Sequence, residues 1–212
     1  DVKNYAAMVT RMDADVGKIL ALLKELGIDD NTIVFFTSDN GAEIHYFRHA
    51  NLVQQYEDIL DSPGPLRGWK RDLTDGGIRV PMIVRWPGKV PPGSTSDQVW
   101  AFWDFLPTAA ELADTEAPSD TDGISIVPTL LGKPQRGHEF LYWEFFERGF
   151  QQAVRYADFK AIRSKQGQPL ELYRITTDPA ETNDIAIQEP AIVRRIETYL
   201  KTARSPSPYW PK

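Results

Sequence analysis

Ser38-Asp39-Asn40-Gly41 sets a carboxylate beside a carboxamide oxygen immediately after an apolar run, Ile33-Val34-Phe35-Phe36-Thr37. Oxygen donors of this kind suit hard divalent cations. The same four residues also read as an Asx turn leaving a strand, with Asn-Gly as turn residues. Further along, Pro65-Leu66-Arg67-Gly68-Trp69-Lys70-Arg71 gathers cations beside glycine, and Asp75-Gly76-Gly77-Ile78-Arg79-Val80-Pro81 follows. Lysine supplies a point charge and glycine lets backbone approach, so Arg67, Lys70 and Arg71 suit a tetrahedral anion; a solvated basic loop is the alternative.

These residues need elements to hold them. Tyr5, Val9, Met12, Val16, Ile19, Leu23 and Leu26 recur at spacings of three and four, which predicts a helix ended by Gly27 and packed on a sheet. The run Ile33–Thr37 has the β-branched and aromatic content of a strand buried on both faces. Helix followed by buried strand is an α/β signature, and open α/β sheets bind ligands at the carboxyl ends of their strands, where Asp39 and Asn40 fall. From Ser38 to Asp75 the periodicity is lost, as in a long functional loop. A short strand, Met82–Trp86, closes at Pro87-Gly88, and Asp104 stands where it would cap a helix from Phe105 to about Ala113.

Beyond Gly137 the texture changes. Phe140–Phe146, Ala153–Tyr156, Phe159–Arg163 and Leu170–Ile175 read as short strands of an antiparallel sheet, and Ile192, Val193, Ile196, Tyr199 and Leu200 form one face of a helix that covers it. The expected organisation is therefore an α/β portion, residues 1–138, and a small α+β subdomain, residues 139–212. Period-two burial accounts for the aromatic run Leu141-Tyr142-Trp143-Glu144-Phe145-Phe146 without a carbohydrate platform, and Glu144 and Glu147 face no partner carboxylate of a glycosidase kind.

The formal net charge of −6 offers no basic field for nucleic acid, and no apolar run reaches the length of a membrane span. The absence of cysteine excludes disulfides, thiolate metal sites and a cysteine nucleophile within these 212 residues.

Taken in order, Tyr5-Ala6-Ala7-Met8-Val9-Thr10-Arg11-Met12-Asp13, the segment Asn31–Gly41, the segment Gly64–Gly88, Asp122-Gly123-Ile124-Ser125 and Asp178-Pro179-Ala180-Glu181-Thr182-Asn183 resemble the formylglycine-dependent sulfatases. The resemblance implies the C-terminal part of an arylsulfatase-like α/β sandwich of the alkaline phosphatase superfamily, with a small antiparallel sheet and helix appended. It assigns Asp39 and Asn40 to a calcium ion and Lys70 to the sulfate, and His45 to a position where similar bacterial enzymes carry a histidine that donates to the sulfate or protonates the leaving oxygen. Arg79 orients the loop in this reading. His49 and His138 have no such support and read as solvated loop residues.

The expected substrate is a sulfated saccharide or aryl sulfate, and the expected setting is periplasmic or secreted. Calcium needs roughly six to eight oxygens, so the remaining ligands lie elsewhere. In the family these ligands and the nucleophile, a formylglycine made from Cys or Ser, belong to an N-terminal part of the catalytic domain, and no residue here stands in that motif. The chain alone is accordingly expected to be inactive. A phosphate or phosphonate monoester hydrolase of the same superfamily and a non-catalytic pseudo-enzyme are the rival readings.

Overall fold

The computed structural model describes residues 2–43, 61–147 and 149–208. The chain divides into two compact units, one of residues 1–37 with 81–138, the other of 38–80 with 139–212.

In the first unit, helix α1 spans Val2–Glu25, and Gly27 at φ 67° ends it in a left-handed conformation. The expected burial of its apolar stripe against a sheet is not met among the described residues: no α1 residue is fully buried, Tyr5, Val16 and Leu23 are half-buried, and Met8 remains 70% exposed. The reason is dimensional. Strand β1, Val34–Thr37, pairs antiparallel with β2, Met82–Arg85, in a ribbon of only two strands, Phe35 opposite Val84 and Phe36 opposite Ile83. Four residues of strand span about 13 Å, far short of the roughly 36 Å of a 24-residue helix. β1 is accordingly half-buried throughout, where burial on both faces was expected. A bidentate pair from Arg85 to Asp29, both contacts 2.7 Å, ties β2 to the 3-10 turn Asp29–Asn31 and holds the Asp29 carboxyl below the usual carboxylate range.

Asp104 departs from its expected part. It precedes a helix, Phe105–Leu112, whose N-terminal amides its side chain does not cap. Its buried carboxylate instead accepts from Ala101 N and Ile124 N, each at 2.8 Å, and from His138 Nε2 at 2.7 Å. His138 is thus an almost buried partner of Asp104 rather than a solvated loop residue. Asp104→Ala leaves two backbone amides without acceptors, and we expect it to lower stability by about 2–4 kcal/mol. Urea denaturation tests this, and a loss within about 0.5 kcal/mol, as for an ordinary surface change, would contradict the assignment.

The second unit is built on a four-stranded antiparallel sheet in the order β3 (Phe140–Phe145), β4 (Gln151–Tyr156), β5 (Phe159–Arg163), β6 (Glu171–Arg174). Ala157-Asp158 makes the two-residue turn between β4 and β5, with Ala157 at φ 49°. Pro190 opens the last helix, Pro190–Leu200, whose Ile196 and Leu200 pack with Val154, Phe159, Ala161 and Leu172 on one face of the sheet. Leu73 and Ile78 cover the other face over Ala153, Ile162 and Tyr173. The segment that carries Lys70 is therefore seated on this sheet, and the aromatic run supplies core: Tyr142 packs into the first cluster, Trp143 and Phe145 into the second. Glu144 accepts from Tyr142 and pairs with Arg204 at 3.1 Å, while Glu147 meets Arg71 at 2.6 Å, so neither is half of a hydrolase carboxylate pair.

Candidate active site

Three backbone segments meet at glycine. Gly41 N donates to Gly77 O at 2.9 Å, Lys70 N to Ala42 O at 2.8 Å, and Gly76 N to Arg67 O at 2.7 Å. A Cβ on Gly41 would lie 1.8 Å from Gly76 O, and one on Gly76 would lie 2.1 Å from Gly68 O, so no side chain fits at either position. These contacts bring Ser38-Asp39-Asn40-Gly41 alongside the loop of Lys70, although Gly41 and Lys70 are 29 positions apart in the sequence.

Within the first motif, Ser38 Oγ donates to Asn40 O at 2.9 Å and Asn40 Nδ2 to Gly41 O at 2.9 Å. The turn chemistry is real, yet it engages the amide nitrogen of Asn40 and leaves its oxygen as the group available to a cation. Asp39 is exposed. In the second motif, Asp72 Oδ2 accepts from Trp69 N at 2.9 Å and rounds the turn. Lys70 is half-buried, and no ion pair with it occurs among the described residues. Arg71, next in the chain, sits at φ 80°, a left-handed conformation that costs a non-glycine residue about 1–2 kcal/mol. Strain of this kind persists where the surroundings over-determine the backbone. His45 and His49 lie outside the described residues.

Beneath the loop is a charged cluster. Lys160 Nζ, 1% exposed, lies 2.6 Å from Asp75 Oδ1 and 3.1 Å from Glu181 Oε1. Glu181 Oε2 accepts from Asp75 N at 2.8 Å, and its backbone carbonyl accepts from Arg67 Nη1 at 2.5 Å. Burial pushes the Glu181 carboxyl above its ordinary range against the pull of Lys160. Arg79 Nη1 stands 3.8 Å from Asp75 Oδ2, consistent with a role in loop orientation.

The sulfatase family model matches residues 1–115, and the model of the C-terminal part of N-sulphoglucosamine sulphohydrolase matches residues 67–205. The chain belongs to the sulfatase family. The steryl-sulfatase of Mus musculus is 39% identical over 161 residues, which is 74% of this chain and 25% of that protein. A solved sulfatase structure from work on glycosaminoglycan metabolism by Bacteroides thetaiotaomicron has a TM-score of 0.77 at 27% identity, over 91% of this chain and 42% of that one. Another, in complex with its substrate D-glucosamine-2-N,6-O-disulfate, has a TM-score of 0.71 at 27% identity, over 91% of this chain and 39% of that one. The chain thus spans between a quarter and about two fifths of the length of these sulfatases. Its α/β architecture with small antiparallel sheets is that of the family's alkaline phosphatase-like fold.

A sulfatase calcium site would draw on oxygen donors, and the carboxylate of Asp39 with the amide oxygen of Asn40 fits that chemistry. Among the described residues no group of three or more acidic or histidine side chains is placed to hold a metal, so these two residues would form one side of such a site. No described helix is long and apolar enough to cross a membrane.

Proposed function

We propose that this chain supplies part of the sulfate-ester site of a calcium-dependent sulfatase acting on a sulfated saccharide or aryl sulfate. The observation that carries the reading is the backbone junction of Gly41, Ala42, Lys70 and Gly77, which sets a hard-cation donor pair beside a lysine in a chain of this family. Lys70 neutralises a sulfate oxygen, and its half-buried setting limits the water that would screen that charge. Asp39 and Asn40 would hold calcium, which supplies positive charge toward the oxygens of the ester when bound. Gly41 and Gly76 contribute shape, since backbone contact sets the spacing between the two motifs. The nucleophile, a formylglycine in this reading, is assigned to no residue of this chain, which has no cysteine. The substrate class rests on the sugar disulfate bound by one structural relative.

The test is turnover of an aryl sulfate and an aryl phosphate by the full-length enzyme across a calcium titration. Calcium-dependent sulfate turnover well above phosphate turnover supports the reading, and preference for the phosphate ester under other divalent metals would replace it with a phosphatase. Asp39→Ala removes a charged donor, and we expect the calcium concentration for half-maximal activity to rise at least about tenfold, with activity returning at high calcium. An unchanged calcium dependence would remove Asp39 from the site.

A further inference from the structure

We infer that Glu181, with Lys160 and Arg67, clamps the loop from Arg67 to Asp75 at both ends and so fixes where Lys70 stands. The inference rests on the sulfate role proposed for Lys70 and names three positioning residues for it. Glu181 reaches both ends of the loop: its carboxylate takes Asp75 N at 2.8 Å, and its carbonyl takes the Arg67 guanidinium at 2.5 Å. That guanidinium also lies 4.9 Å over the Tyr173 ring, so the proximal clamp is anchored to β6. At the distal clamp, Lys160 of β5 bridges the Asp75 and Glu181 carboxylates. Between the clamps, Lys70 is tied to Ala42 through its backbone amide.

Stability alone is a poor account of these contacts. Three buried charges cost desolvation that an apolar trio of the same volume avoids. The hydrogen-bond set is also incomplete among the described residues: Asp75 Oδ2 and Glu181 Oε1 accept no hydrogen bond there, the former meeting Arg79 at 3.8 Å and the latter Lys160 only as ion pairs. Glu181 itself stands at φ 50°, a strained backbone for a glutamate. Such a cluster specifies one arrangement of a loop better than it stabilises a core.

A double-mutant cycle on the full-length enzyme separates positioning from stability. Glu181→Gln keeps the volume and an acceptor for Asp75 N but loses the charge that Lys160 bridges. We expect it to lower kcat up to about 10²-fold, the effect of a small misplacement, with little change in KM. In a Lys70→Ala background the same substitution should cost less than about threefold, because the group it positions is gone. Arg67→Met, at a half-buried site, gives the same cycle from the proximal clamp should Glu181→Gln fold poorly. Equal losses in both backgrounds, or no loss in either, would overturn the inference. If Lys70→Ala alone leaves turnover at the wild-type level, the proposed lysine role fails and the clamp is judged by amide exchange. Faster exchange at Asp75 and Gly76 with β3 to β6 unaltered would support the clamp, and unchanged protection there would end it.

Discussion

Lys70→Ala in the full-length enzyme is expected to reduce sulfate-ester turnover by roughly 10² to 10³-fold, the usual consequence of deleting one preorganised electrostatic donor. Stability should change by less than about 0.5 kcal/mol, because the side chain is only half-buried and holds no ion pair among the described residues. The backbone amide that pairs with Ala42 survives the substitution, so the loop keeps its seat. Raised calcium should leave the variant unimproved, in contrast to Asp39→Ala, since a missing ammonium is not restored by filling a cation site. Wild-type kinetics would return Lys70 to the solvated surface, and recovery of both variants with calcium would show that the lysine serves the metal rather than the sulfate.

Lys160→Met should be the most destabilising single change in the second unit, at about 3–5 kcal/mol near neutral pH, because it strands two buried carboxylates. The loss should depend on pH in a defined direction. Burial already raises the Glu181 pKa, and removing Lys160 takes away the charge that opposes this. A carboxyl with a raised folded-state pKa contributes its full stability below its unfolded value and loses it as pH rises through the folded value. The deficit should therefore be smaller near about pH 5 than near about pH 8, where Glu181 must ionise without its partner. Two other cations face the cluster, Arg79 near Asp75 and Arg155 opposite Lys160 in the β4–β5 register, the latter with its pKa lowered by burial. They moderate the effect without replacing a contact at 2.6 Å. Urea midpoints at the two pH values decide the matter, and a deficit equal at both would show that the lysine acts through packing alone.

Much of this was legible along the chain because it is local. Phe159–Arg163 forms β5 with the expected ends, and the spacing of Ile192, Val193, Ile196, Tyr199 and Leu200 gives a helix whose apolar face meets the sheet. Asp39, Asn40 and Lys70 stood out through residue type and position. Their junction did not, since it is made by backbone amides whose partners no side chain announces. Lys160 was missed for a related reason. Alternation sets it on the face of Ile162, but nothing near it signals that a loop 85 residues earlier covers that face with a carboxylate. His138 was misjudged because its partner Asp104 lies 34 positions away. For α1, the stripe fixed the helix but not what lies against it, because period reports a face and not its neighbour.

The glycine junction has a consequence for how an enzyme of this kind diversifies. When main chain touches main chain, as at Gly41 and Gly76, the separation between the Asp39-Asn40 pair and Lys70 is insulated from the identity of surrounding side chains. Side chains at neighbouring positions such as Trp69 and Ala42 can then vary without disturbing that separation.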